Sequence, residues 1–256
     1  MCETCGCGVT MGSSVATHTV TVMRGILDQN AQQAEHNRAH FDEHGVLAVN
    51  LMSAPGSGKT ALLERTLDEL AGRCACAVIE GDLETDNDAR RIRRHGVPAI
   101  QITTGSTCHL DAVMVHEALH RLPLQGLDVL FIENVGNLVC PASFALGTHA
   151  DVALLSVPEG DDKAEKYPVM FRCASLVLIS KADLLPVFPD FSVAAVAAQV
   201  RALANPAPVL TVSSRTGAGF DTWLEWITSA VTARRARRPT ETARSGVGAG
   251  LPAEHP

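Results

Sequence analysis

The run Ser53-Ala54-Pro55-Gly56-Ser57-Gly58-Lys59-Thr60 stands between an apolar stretch, Val46 to Met52, and an amphipathic one, Thr60 to Gly72. A strand that turns through glycines into a helix opening on Lys-Thr is the context required of a phosphate-binding loop. Gly56 and Gly58, with Ser57 between them, permit backbone N–H groups to curl round phosphate oxygens. Lys59 can then reach the β- and γ-phosphates, and the Thr60 hydroxyl can ligate Mg2+. The motif G-x-x-x-x-G-K-S/T begins with Gly, and Ser53 takes that place here; the cradle itself is whole.

Outward from this loop, strand-like runs alternate with amphipathic ones. The strand candidates are Val46 to Met52, Cys74 to Glu80, Pro98 to Ile102, Val129 to Glu133, Val152 to Val157, Leu176 to Ser180 and Val209 to Val212. Helices are expected over Thr60 to Gly72, Asp86 to His95, Asp111 to Leu122, Asp162 to Cys173, Val193 to Ala204 and Phe220 to Arg234. That alternation predicts an α/β fold, a mostly parallel sheet of about seven strands with helices on both faces. Residues 1–21 read as a flexible arm, 22–236 as the nucleotide-binding domain with a leading helix from Val22 to His44, and 237–256 as a disordered tail.

At 256 residues the chain holds one sizeable core with short extra segments. Its net charge of -7 offers no electrostatic case for a nucleic-acid or anionic-membrane partner. The longest apolar runs are far below the roughly 18 to 20 residues of a membrane span, so none is expected. The opening Met1-Cys2-Glu3-Thr4-Cys5-Gly6-Cys7 lacks the basic and apolar regions of a signal peptide, and a cytoplasmic location is expected.

Two acidic strand ends should lie beside the phosphates at the carboxyl edge of the sheet. Asp82 in Glu80-Gly81-Asp82 and Glu133 in Ile132-Glu133-Asn134-Val135-Gly136 are candidates to position Mg2+ directly or through water. Ser180-Lys181-Ala182-Asp183 resembles the guanine-reading motif Asn-Lys-x-Asp, in which the carboxylate accepts two hydrogen bonds that adenine cannot supply. Lys181 and Asp183 are kept and Ser180 replaces Asn; Ser213 opens a loop that would close over the base. GTP is favoured over ATP.

Eight cysteines in a chain of this length are no disulfide scaffold. Cys2, Cys5 and Cys7 form an array of soft ligands that suits Ni2+ or Zn2+, without distinguishing them. Cys108-His109 and Cys140 form a second set, on loops expected to leave the same sheet edge near the nucleotide. Three ligands make an open site that bridging across a symmetric dimer would complete. Cys74, Cys76 and Cys173 read as small buried hydrophobes. His36, His40 and His44, and separately His116 and His120, recur at i, i+4 spacing on helix faces, a geometry that can chelate a metal; each set reads first as a solvated face.

Taken in order, the Cys2-Cys5-Cys7 arm, Pro55 to Thr60, Glu80-Gly81-Asp82, Cys108-His109, Glu133 to Pro141, Glu159-Gly160-Asp161-Asp162-Lys163 and the Lys181/Asp183 pair resemble the hydrogenase nickel-incorporation GTPases, the HypB family. The resemblance covers about residues 1 to 232 and implies a P-loop fold of the SIMIBI class. It further implies a homodimer promoted by GTP, slow GTP hydrolysis with Lys59, Thr60 and Asp82 at the reacting end, and Ni2+ transfer during assembly of NiFe hydrogenase. The partners it implies are a HypA-type zinc/nickel accessory protein and the hydrogenase large-subunit precursor. A urease-assembly GTPase is the nearest rival, but has a Cys-Pro-His motif where this chain has Cys140-Pro141-Ala142. A kinase or ligase of the same superfamily and a zinc-binding regulatory GTPase are the other readings.

Overall fold

The computed structural model describes the backbone of residues 12–83 and 87–236, and the side chains of 25–83 and 87–236. Seven strands form one parallel sheet in the order β3-β2-β4-β1-β5-β6-β7. They are β1 Leu47–Ser53, β2 Cys76–Asp82, β3 Ala99–Thr103, β4 Val129–Glu133, β5 Ala150–Ser156, β6 Leu176–Ser180 and β7 Val209–Thr211. The helices are α1 Gly12–His44, α2 Lys59–Leu70, α3 Asn87–Arg93, α4 Ala112–Leu119, α5 Lys163–Lys166, α6 Pro168–Cys173, α7 Val193–Ala202 and α8 Phe220–Arg235.

Strand β1 is buried along its whole length, and its period of two distributes side chains to opposite faces. Leu47, Val49 and Leu51 join the cluster under α2 and α8, where Trp223 is fully buried and its indole N–H donates to Thr66 Oγ1 at 2.9 Å. Ala48, preceded by Val46, packs on the other face with Phe41 of α1 and Val115 of α4. A third cluster, around Phe171, Met170 and Val196, covers β5 and β6. Each fully buried Leu or Phe contributes about 1.5–3 kcal/mol, so the apolar strands hold the sheet and leave its carboxyl rim to polar loops.

Two elements and one cysteine differ from expectation. Helix α1 begins at Gly12, not Val22, and crosses the boundary expected between arm and domain. Extending a helix already formed fixes one residue per added bond, so a Ser/Thr-rich stretch without apolar periodicity can still continue it. The helix expected over Asp162 to Cys173 is broken into α5 and α6 at Tyr167 (φ -125°, ψ 59°). Pro168 disfavours the α conformation in the residue before it and supplies no N–H, which explains the break. Cys76 is buried and Cys74 half-buried, but Cys173 is exposed at the end of α6. Cys2, Cys5 and Cys7 and the tail 237–256 lie outside the described residues.

Candidate functional site

Strand β1 delivers the chain at Ser53 into the glycine loop. Gly56 and Gly58 both adopt positive φ, +75° and +93°, which other residues reach only with strain, and Gly58 caps the start of α2. Lys59 is buried; its ammonium donates to Ser53 Oγ at 2.9 Å and stands 4.0 Å from Glu133 Oε1. Ser53, the departure from the Gly of the motif, is therefore the hydroxyl that holds the lysine. Thr60 Oγ1 donates to Glu133 Oε1 at 3.0 Å. The loop following β4 passes close over this turn: a Cβ on Gly136 would lie 2.9 Å from Pro55 Cα, so only glycine fits there.

Glu133 lies opposite Glu80 in the β2/β4 register. The two buried carboxyl groups are close enough to act on each other's proton affinity. Burial, then the adjacent Glu133, holds Glu80 well above the usual carboxylate range. Burial also raises Glu133, against the pull of Lys59 and the Thr60 hydroxyl. One oxygen of each, Glu80 Oε1 and Glu133 Oε2, is buried without a hydrogen-bond partner. A buried acceptor left unmatched costs about 1–3 kcal/mol, and two of them beside a hydroxyl make an all-oxygen donor set that fits Mg2+. Asp82 lies two residues further along β2, half-buried at the rim, and its Oδ1 accepts from Leu83 N–H at 2.6 Å. It is Glu80 that meets Glu133, an acid to which the sequence reading assigned no role.

The other end of the loop opens on a cavity of about 720 Å³ lined by Ser57, Gly58, Ser180, Lys181, Asp183 and Arg215 among others. Lys181 holds a left-handed backbone conformation (φ 55°) and donates from Nζ to the Gly56 carbonyl at 2.7 Å. Ser180 Oγ donates to the Ser57 carbonyl at 2.7 Å, so the residue standing in place of Asn still ties β6 to the phosphate loop. Ser213 Oγ donates to Asp183 Oδ1 at 2.6 Å, and Arg215 lies 3.7 Å from Oδ2. A serine and an arginine thus orient a carboxylate at the cavity wall. Glu159, in the short turn that follows β5, takes three bonds on one oxygen: from Ser57 Oγ at 2.8 Å and from Ser156 Oγ and N–H at 2.6 and 2.7 Å. In the sequence it stands within Glu159-Gly160-Asp161-Asp162-Lys163, a stretch quoted for the family resemblance but given no role at the phosphate loop.

On the same rim, Cys108, His109 and Cys140 place Sγ, a ring nitrogen and Sγ all within 4.8 Å of one another. The two sulfurs are 2.9 Å apart, both as free thiols, and Cys108 Sγ is 3.9 Å from His109 Nδ1. No other group of three such ligands this close occurs among the described residues. His109 stacks on Phe144 with ring centroids 3.8 Å apart, and burial lowers its pKa, so a neutral imidazole faces the thiols. Neutral imidazole and thiol sulfur are borderline-to-soft donors, the opposite of the oxygen set at Glu133.

Asn134 joins the two places. Fully buried and next to Glu133, it accepts through Oδ1 from Leu110 N–H at 3.1 Å, immediately beyond Cys108-His109, and from Val135 N–H at 3.0 Å. Its Nδ2 donates to Asn50 Oδ1 on β1 at 3.2 Å. One side chain therefore ties the Cys108-His109 loop to the end of the strand that carries Glu133, from which the chain runs on to Cys140.

The family model for the nucleotide-binding domain of CobW/HypB/UreG matches residues 47–211. The hydrogenase maturation factor HypB of Escherichia coli K12 is 53% identical over 202 residues, 79% of this chain and 69% of that protein. The crystal structure of HypB from Helicobacter pylori in complex with nickel superposes with a TM-score of 0.77 at 42% identity, covering 83% of this chain and 99% of that one. HypB from Archaeoglobus fulgidus gives 0.74 at 39% identity, over 80% and 99%.

Proposed function

Because the chain belongs to the HypB family of hydrogenase maturation factors, we infer that it is a GTP-hydrolysing nickel metallochaperone serving NiFe hydrogenase assembly. The observation that carries this reading is the shared rim: the thiol and imidazole set is bonded through Asn134 to the strand end that bears Glu133. Ni2+ is the cargo, taken on Cys108, His109 and Cys140, and Zn2+ suits the same donors. Three ligands leave the ion open, which favours a GTP-promoted homodimer in which a second copy completes the coordination. The arm thiols Cys2, Cys5 and Cys7 form a separate site for the same ions.

On the nucleotide side, Lys59 exchanges Ser53 Oγ for phosphate oxygens, while the loop amides of Gly56, Ser57 and Gly58 cradle them. Mg2+, when bound, neutralises charge developing on the phosphates. Thr60, Glu133 and Glu80 are the groups placed to hold it, with Asp82 at the rim. Asp183, oriented by Ser213, accepts from the guanine edge. Ordering of the Gly136 loop round the γ-phosphate then pulls on Asn134 and through it on the metal loops, so that hydrolysis changes the hold on nickel. A HypA-type accessory protein and the hydrogenase large-subunit precursor, met in the cytoplasm, complete the cycle. No helix among the described residues is long and apolar enough to cross a membrane.

A Ni2+ titration of the full chain with Cys2, Cys5 and Cys7 changed to Ser tests this directly. Affinity is expected to differ about tenfold or more between the GDP state and a non-hydrolysable GTP state, within the usual range of coupling. Cys140→Ala should remove the site and the difference together. Equal affinity in both nucleotide states would sink the coupling. Asp183→Asn provides the test of base choice: preference should pass from guanine to xanthine nucleotides by about 100-fold or more, since a hydrogen-bond mismatch there leaves buried polar groups unpaired. Unaltered GTP preference would remove Asp183 from the base site.

A further inference from the structure

We propose that His36 and His40 of α1 and His116 and His120 of α4 together form another transition-metal site, which takes a borderline divalent ion such as Ni2+ or Zn2+ on imidazole nitrogens alone. Along the sequence these are two unrelated i, i+4 pairs, and each alone is an ordinary solvated helix face. Helix packing brings them together. His36 and His116 have ring centroids 4.9 Å apart and His40 and His116 5.5 Å, so imidazoles from both helices meet across the interface.

Within each pair the spacing is that of ligands on one ion. His36 Nε2 and His40 Nε2 are 3.0 Å apart, and His116 Nε2 and His120 Nε2 3.2 Å. Two nitrogens at about 2.0–2.1 Å from a tetrahedral ion lie about 3.3 Å from each other. Across the interface the rings stand wider. His36 and His120 are exposed, so their side chains are free to turn, and bringing the two pairs onto one ion requires that they turn inward.

A solvated face would not need its rings fixed, yet one of these is. His116 Nδ1 meets Asn37 Oδ1 at 3.1 Å, and the Asn37 amide nitrogen, fully buried, donates to the carbonyls of Ala112 at 2.8 Å and Leu146 at 3.2 Å. Those two donations settle which end of the Asn37 amide is oxygen. His116 must then carry its proton on Nδ1 and turn the Nε2 lone pair toward the cluster, the arrangement by which an outer-shell acceptor orients a ligating histidine. His44 points elsewhere: its Nδ1 donates to the His40 carbonyl at 2.9 Å. Four neutral imidazoles suit nickel, copper or zinc and exclude magnesium.

Helix α4 leads straight out of the Cys108-His109 loop, so an ion held here would be staged beside the sulfur site. That staging role rests on the nickel-delivery reading; the binding itself does not. To test binding, Ni2+ is titrated by equilibrium dialysis into the full chain with Cys2, Cys5, Cys7, Cys108 and Cys140 all changed to Ser, and the bound ion is read by X-ray absorption. One Ni2+ per chain with imidazole coordination and no sulfur is expected. His120→Asn, at an exposed position that leaves the fold intact, should weaken it at least about tenfold, and His116→Asn more. A five-serine chain that takes up no Ni2+, or one whose Ni2+ affinity is unchanged by both His substitutions, overturns the site. Either result leaves nickel delivery standing, since that is tested on the cysteines.

Discussion

Lys59→Ala is expected to weaken GTP binding on the order of 100-fold or more while the thiol arm still takes up metal. The Lys59 side chain is 7% exposed and its ammonium stands 4.0 Å from the Glu133 carboxylate, so its loss has two effects. It removes the charge that meets the β- and γ-phosphates, and it leaves the Glu80/Glu133 pair unopposed next to an incoming polyanion. Truncating one partner of a buried charge pair costs about 2–5 kcal/mol, most of it the penalty of the charge left behind, and each 1.4 kcal/mol is tenfold in affinity. Calorimetric titration with GTP and Mg2+ reads the nucleotide loss. A Ni2+ titration of the same variant checks that the sites are separate; an equal fall in metal affinity at the arm would show that they are not.

Glu133→Gln should separate stability from activity. Two buried carboxyl groups lie side by side with the Lys59 ammonium beside them, and both have pKa values raised chiefly by burial. A group whose folded pKa lies above its unfolded one binds its proton more tightly when folded. Its contribution to stability is therefore present at low pH and is lost as pH rises through the folded value. Gln keeps an acceptor for the Thr60 hydroxyl, removes one of the two acids and leaves Glu80 to balance Lys59. The variant should melt above the parent in the absence of Mg2+, by a margin that grows from mildly acidic to mildly alkaline pH. The same change deprives the phosphate end of a cation ligand, and GTP hydrolysis should fall on the order of 100-fold or more. Thermal unfolding at two pH values with and without Mg2+, beside a phosphate-release assay, reads both arms. A variant no more stable than the parent at either pH would mean that the carboxyl pair carries no repulsion; unimpaired hydrolysis would place the Mg2+ elsewhere.

These effects compete at one place for a physical reason. The acids under the phosphate loop are costly where they are, with orphaned oxygens and raised pKa values, and their cost is recovered only when a cation arrives. Natural sites of this kind trade folding stability for function. The thiol site is milder, since its three residues are only partly buried and remain in contact with water.

Much of the architecture was decided by sequence alone. Apolar runs of strand length alternating with amphipathic ones can satisfy their backbone and bury their faces only as a parallel sheet between helices. Gly56, Gly58, Lys59 and Thr60 read as a phosphate loop because the loop is a local structure, with every part within one turn of chain. The break at Pro168 was equally local and was there to be read. What sequence could not decide is whatever depends on strand order and helix packing. Glu80 and Glu133 are separated by many residues and meet only because β2 and β4 are neighbours. Cys108, His109 and Cys140 were expected from the sequence as one set on loops leaving the same edge, but their approach to within 4.8 Å, with Asn134 bonded to Leu110 N–H beside them, is decided by packing. Two histidine pairs become one cluster only when α1 lies along α4. Local patterns specify elements; contacts at long range are created by packing, and the chemistry of this chain lies mostly in those contacts.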